Sequence, residues 1–160
     1  MSIAYGVSEF LRTHRISYDV LWHRRADTSL RAALESGVSA DRVVKAVMLE
    51  SGDTLFMVLV PASRMLDIEK VGDYLDARVH LADPMEFEAL FDDCEPGAVP
   101  ATGPAYGCAT LLDEHLARAD DVYFDAGDQE ELIHVKGSLF RQALGPVRIG
   151  VFTRESENDS

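Results

Sequence analysis

At 160 residues with 47% hydrophobic content, the chain is long enough to bury a substantial core and short enough to form one domain. Its 15 basic residues against 28 acidic ones leave a formal net charge of −13, which excludes broad phosphate-driven binding along a nucleic-acid duplex; any nucleic-acid contact has to be small and local. The opening Met1-Ser2-Ile3-Ala4-Tyr5-Gly6 lacks the basic start and apolar stretch of a signal peptide, no run approaches the roughly 18 apolar residues of a membrane span, and Cys94 and Cys108 are too few for a disulfide framework, so a cytoplasmic protein with reduced, idle thiols is expected.

Ile3, Val7, Phe10, Leu11 and His14 fall at helical spacing and predict an amphipathic first helix over residues 3–14. Tyr18, Val20 and Trp22 alternate as a short strand. Asp27 or Thr28 then caps a helix carrying Leu30, Ala33 and Leu34 and closed by Gly37. Val43–Glu50 and Thr54–Val60 are strong strand patterns joined by the turn Ser51-Gly52-Asp53, and they are expected at the centre of the sheet. Asp67 caps a helix with Ile68, Val71 and Leu75, Val79–Ala82 reads as a strand, and Asp83-Pro84 opens a helix whose buried stripe is Phe87, Leu90 and Phe91. Residues 92–107, rich in Pro and Gly with no period, read as a long loop, ordered or disordered. Strands follow near Ala109–Leu112, Val122–Asp125 and Leu132–Val135, and a short helix from Ser138 to Leu144. The mixture lacks regular β-α-β alternation. It predicts a single compact α+β domain over 1–154, with a central mixed, largely antiparallel sheet and flanking helices, and a disordered polar tail over 155–160.

Lys45 breaks the run Val43-Val44-Lys45-Ala46-Val47-Met48-Leu49, and an ammonium among β-branched neighbours needs an anionic partner or access to water. Two explanations stand together at this point: a lysine lining a pocket, or one near a sheet edge that lays its methylenes over apolar neighbours. The apolar residues on both sides argue for an interior strand. The loop Pro96-Gly97-Ala98-Val99-Pro100 restricts the backbone at its prolines and frees it at glycine, so its N–H groups can converge on a phosphate or an oxyanion. His14, His23, His80, His115 and His134 lack metal-ligand spacing, and no Gly-x-Ser-x-Gly elbow or phosphate-binding glycine loop occurs; neither a metal nor an organic cofactor is expected.

In this order, His23, Thr28, Arg42-Val43-Val44-Lys45-Ala46-Val47, Val60-Pro61-Ala62-Ser63, Asp93-Cys94-Glu95-Pro96-Gly97-Ala98-Val99-Pro100, Ala105-Tyr106-Gly107 and Val122-Tyr123-Phe124-Asp125-Ala126-Gly127 resemble the YbaK family, the prolyl-tRNA synthetase associated or editing domain. The resemblance runs from about Tyr18 to Leu144. It implies an α/β domain around a mixed sheet that hydrolyses the ester bond of mischarged aminoacyl-tRNA. With no synthetase attached, the chain is expected to edit in trans. By motif, Lys45 matches the family's lysine, Gly97 and Pro100 its Gly-x-x-Pro loop, and Gly127 with Asp128 a turn bordering the pocket. Lys45, Gly97 and Pro100 are then the expected catalytic residues, and His23, Thr28, Ala98, Val99, Gly127 and Asp128 the expected substrate contacts. The turn reads Gly127-Asp128-Gln129 where the resemblance leads one to look for a histidine, a departure that bears both on any histidine-assisted step and on the aminoacyl preference.

A general-base lysine needs a pKa near 7 in place of about 10.4, which a bound phosphate opposes, so a charged, positioning Lys45 is the simpler role. The implied partners are the aminoacylated 3′ end of tRNA and an aminoacyl-tRNA synthetase, with Arg24, Arg25, Arg31, Arg42 and Lys136 available for a few phosphate contacts. A non-catalytic module that captures a nucleotide, tRNA or protein in the same pocket is the alternative.

Overall fold

The computed structural model describes residues 2–156. In chain order the elements are α1 (Tyr5–Thr13), β1 (Asp19–Trp22), α2 (Ser29–Ser36), β2 (Val44–Ser51), β3 (Thr54–Pro61), β4 (Arg64–Leu66), α3 (Ile68–Leu75), β5 (His80–Leu81), α4 (Pro84–Phe87), β6 (Ala109–Asp113), α5 (Glu114–Ala117), β7 (Asp121–Asp125), β8 (Glu131–Lys136), α6 (Gly137–Leu144), β9 (Arg148–Gly150) and β10 (Thr153–Glu155). Single 3₁₀ turns occupy Glu88–Phe91 and Gly103–Tyr106. The fold is the expected mixed α+β domain.

The main sheet has the order β5-β2-β3-β6-β9, antiparallel across β5-β2-β3 and parallel across β3-β6-β9. A second, antiparallel sheet runs β1-β8-β7, and β10 pairs with β4. Alternation along β2 and β3 sends Val44, Met48, Met57 and Leu59 into the core shared with α1, α6 and the second sheet. Leu49, Phe56, Val58 and Val60 pack on the other side with Val71 of α3 and Phe152. A third cluster seats Ala32 and Ala33 of α2 on Val43 and Leu132. The caps follow their residue chemistry: the Arg31 N–H donates to Thr28 Oγ1, the Lys70 N–H donates to Asp67 Oδ1, and Asp83 with Glu86 completes a capping box before Pro84.

Three sequence expectations change. Leu90, read as part of a buried stripe, is exposed, because its segment tightens into a 3₁₀ turn; Phe91 of the same stripe is buried as expected. Strand order extends through Glu155, which pairs with Arg64; residues 157–160 of the expected tail, like Met1, lie outside the described residues. Finally, β2 is less enclosed than its composition suggests. Strand β5 pairs only with Leu49 and Glu50, and the second sheet touches β2's flank through the bridge Val43–Tyr123. Between those two contacts the outer edge of β2 carries no strand among the described residues, and Lys45 and Ala46 sit in that gap. No helix among the described residues is long and apolar enough to cross a membrane.

Candidate active site

The gap in the sheet edge opens into a cavity of about 420 Å³, walled by the segment that leads into α2 (Ala26–Ser29), by Pro84, Phe87 and Glu88, by the loop residues Gly97–Val99, and by Asp125 at the end of β7. Lys45 stands on its sheet wall. The side chain is half-buried, and among the described residues it makes no hydrogen bond and no ion pair. Burial alone lowers its pKa from the usual 10.5. Lys45 is therefore an ammonium that no carboxylate of the described residues pairs with, the state that an anionic or carbonyl-bearing guest relieves.

The facing loop is braced from behind. Gly97 adopts φ +84°, and the Ala98 N–H donates to Glu95 O at 3.0 Å. The N–H groups of Gly97 and Val99 make no hydrogen bond among the described residues, so both remain as donors beside the cavity. Two bonds tie the loop to the turn after β7: the Glu95 N–H donates to Gly127 O at 2.8 Å, and Gln129 Nε2 donates to Pro96 O at 3.3 Å. That turn also holds the opposite wall, through the His23 N–H to Glu130 O and the Ala26 N–H to Gln129 O, both at 3.0 Å.

Asp125 organises the turn. Its Oδ1 accepts the N–H groups of Gly127 (2.6 Å), Asp128 (3.1 Å) and Gln129 (3.2 Å). The other oxygen has no donor among the described residues and is not sealed from solvent. Burial raises the Asp125 pKa, with the backbone donors opposing. Asp128 Oδ1 accepts the N–H groups of Glu130 and Glu131, both at 3.0 Å. Asp128 and Glu131 are only 5% and 3% exposed, and each buries one oxygen that no protein donor satisfies. A proton held between the two carboxyls satisfies both; burial first, then the bond to Asp128, lifts the Glu131 pKa to about 7.

Of the residues expected at the site, Thr28, Lys45, Gly97, Ala98 and Val99 line one cavity. Pro100 is buried at the end of the loop. His23, Gly127 and Asp128 stand behind the walls. The His23 Nδ1–H donates to Arg24 O at 2.6 Å, while its Nε2 is buried without a partner. Gly127, at φ +103°, packs so tightly that a Cβ there would lie 2.7 Å from that of Ala4. Asp27, Phe87, Glu88 and Asp125 join the lining without having been expected there as site residues. For Asp125 the signal was present: an Asp immediately before an Ala-Gly turn is placed to accept successive N–H groups.

Of the suggested phosphate contacts, Arg25 pairs with Glu95 (3.6 Å), Arg31 with Glu35 (3.1 Å) and Arg42 with Asp121 (3.8 Å), while Arg24 and Lys136 are exposed. Among the described residues no three His, Cys, Asp or Glu side chains stand close enough to hold a metal ion. A larger cavity of about 560 Å³ lies at the far end of the β2–β3 hairpin. Arg148 is its only charged lining residue among those described, so it offers little to a reaction.

The family profile described as "Aminoacyl-tRNA editing domain" matches residues 23–143. The chain belongs to this editing-domain family. The match contains Lys45, the Gly97–Pro100 loop and the Asp125–Glu131 turn, and so takes in every wall of the cavity. No curated protein matches the chain. Among solved structures, a hypothetical protein superposes with a TM-score of 0.80 at 20% identity, over 93% of this chain and 99% of its own. A candidate trans-editing enzyme for prolyl-tRNA synthetase gives 0.74 at 20% identity, over 96% and 99%. A candidate signal transduction protein from Marinobacter aquaeolei gives 0.79 at 16% identity over 99% of this chain but 32% of its own, so there the editing-domain fold is one part of a longer chain. At these identities the likenesses establish the fold.

Proposed function

We propose that this editing domain is a deacylase that hydrolyses the ester bond of mischarged aminoacyl-tRNA, gripping only the aminoacylated 3′ end. The observation that carries the reading is that Lys45, half-buried and unpaired among the described residues, lines one cavity together with Gly97 and Val99, whose N–H groups make no hydrogen bond among those residues. Charged Lys45 holds the terminal phosphodiester or the ester carbonyl, and Thr28 and Val99 shape the space around the aminoacyl group. Water attacks the ester carbon. The carbonyl electrons move onto oxygen, where the loop donors receive the developing charge; the tetrahedral species then expels the ribose oxygen, which takes a proton, leaving free amino acid and tRNA. Every group in this sequence belongs to the chain, the substrate or water.

A local grip of this kind suits a net charge of −13, since it engages one or two phosphates and leaves the rest of the tRNA to ordinary repulsion. The likeness to a candidate trans-editing enzyme for prolyl-tRNA synthetase supports action on tRNA released by a synthetase, in the cytoplasm where charging takes place. Single-turnover deacylation of alanyl-, cysteinyl- and seryl-tRNA by wild type beside Lys45→Ala tests the proposal. Hydrolysis of one member that disappears in the variant supports it. No hydrolysis by folded wild type across the panel turns the reading to a non-catalytic module that binds in the same cavity.

A further inference from the structure

The cavity is not a simple anion site. Against the one ammonium of Lys45 its lining sets three carboxylates, Asp27, Glu88 and Asp125. Asp27 and Glu88 are exposed at the rim, where water competes for them. Asp125 differs: it is mostly buried, and its Oδ1 is fixed by three backbone N–H groups, which leaves the second oxygen open and immobile. It forms no ion pair with Lys45 or with any other cation among the described residues, so its open oxygen is the one preorganised anionic acceptor of the cavity.

An aminoacyl ester has the complementary pair of features. It carries an α-ammonium two bonds from the carbonyl carbon, and the terminal phosphodiester is attached at the 5′ oxygen of the same ribose. A lysine and a fixed carboxylate lining one cavity offer a partner of the right charge for each.

We propose that Asp125 receives the α-ammonium of the substrate, so that the site acts on esters bearing a free, charged amino group and rejects esters in which that group is acylated or replaced. The proposal rests on the deacylase reading for its substrate and adds a specificity determinant to it. Selection by charge leaves peptidyl- and formylaminoacyl-tRNA intact even when their side chain fits.

The test compares alanyl-tRNA, N-acetylalanyl-tRNA and lactyl-tRNA as substrates of wild type and Asp125→Asn. Lactyl-tRNA replaces the ammonium with a hydroxyl of similar size, which separates charge from bulk. Asparagine retains an Oδ1 for the three backbone donors and removes the charge, and thermal melting confirms that the variant is folded. A charge-assisted hydrogen bond is worth about 10- to 100-fold. Wild type is therefore expected to prefer alanyl- over lactyl-tRNA by about that factor, and Asp125→Asn to lose the preference. Equal wild-type rates on alanyl- and lactyl-tRNA overturn the proposal, as does a preference that survives in a folded Asp125→Asn.

Binding of 3′-alanylamino-3′-deoxyadenosine and its N-acetyl derivative, measured by calorimetry, keeps the two hypotheses apart. If wild type hydrolyses nothing yet binds the free amine selectively, and Asp125→Asn does not, the deacylase reading falls and the ammonium site stands. If wild type hydrolyses its substrate but binds both amides equally, the ammonium site falls alone.

Discussion

Replacing Lys45 with methionine separates function from stability at one position. An ammonium about 4 Å from a phosphate oxygen, in surroundings of effective dielectric near 20, is attracted by about 4 kcal/mol, part of which its own lost hydration offsets. Removal of a single fixed electrostatic group of this kind typically lowers a rate by about 10²- to 10³-fold. Lys45→Met is accordingly expected to reduce single-turnover deacylation by that factor. Stability is expected to move the other way or not at all. Lys45 has no hydrogen bond or ion pair to lose among the described residues, its cross-strand neighbour is the buried Val60, and methionine retains most of the apolar stem. The pH dependence carries its own sign. Burial puts the folded-state pKa below the usual 10.5, so between that lowered value and 10.5 the unfolded chain binds more protons. Wild-type stability should thus rise relative to Lys45→Met as pH climbs through this window, and its deficit should be greatest below it. Denaturant titrations of both proteins from pH 7 to pH 10, beside the kinetics, supply the readouts. A variant that keeps its rate within about threefold would refute the electrostatic role. A variant that loses more than about 2 kcal/mol of stability would show that Lys45 holds the fold through contacts the present geometry does not contain.

Three further outcomes are expected. Gly137→Ala should destabilise the protein by at least about 2–3 kcal/mol in urea unfolding, because its Cβ would collide with the backbone oxygen of Ala119, which cannot swing away as a side chain can; a loss under about 0.5 kcal/mol contradicts that packing. Glu131 has a folded-state pKa near 7 against its ordinary 4.5, so the native state binds the extra proton, and stability should be full below pH 4.5 and fall as pH rises through 7. Glu131→Gln, which mimics the protonated acid, should flatten that fall, and parallel pH–stability curves for the two proteins would disprove the shared proton. Burial pushes the thiols of Cys94 and Cys108 up to about 12 and about 11, so iodoacetamide at pH 8 should label the native protein far more slowly than the urea-unfolded chain; equal rates would mean that the thiols are not enclosed.

The β2–β3 hairpin was legible because eight alternating pairs and a Ser-Gly-Asp turn outweigh any competing local preference, and Lys45 was legible because it violates that pattern. Strands β4, β9 and β10 were not. Each is three residues long, too short to show a period, and each exists through pairing with a distant partner, as Arg64–Leu66 does with Thr153–Glu155. The buried Asp113 has the same origin: its Oδ2 accepts from the Phe152 N–H and from Thr153 Oγ1, about forty residues on, a bond no local window contains. Composition also placed β2 in the interior, whereas its openness at Lys45 is decided by where β5 stops. Within the site, Thr28, Lys45 and Gly97–Val99 carried distinctive local chemistry. Asp27, Phe87 and Glu88 did not, and only the fold brings them to the cavity.

The position of the Asp125–Glu131 turn explains why residues that matched the editing-domain motifs lie behind the cavity. Two walls that approach from distant parts of the chain, residues 23–28 and 94–100, need a common reference if Lys45 is to face the loop donors within the tolerance that catalysis demands. The turn supplies it through backbone groups: its carbonyls at Gly127, Gln129 and Glu130 accept from Glu95, Ala26 and His23, and the Gln129 amide reaches Pro96. Carbonyls can be aimed in these directions only if the turn's N–H groups are taken up internally, and Asp125 and Asp128 accept five of them. Gly127 is required by both φ and space, and Gln129 accepts a left-handed φ of +62° to bring its side chain to the loop. The acids thus act first on the backbone. Asp125 alone reaches the cavity as well, so the group that fixes the walls is also the one that faces the guest.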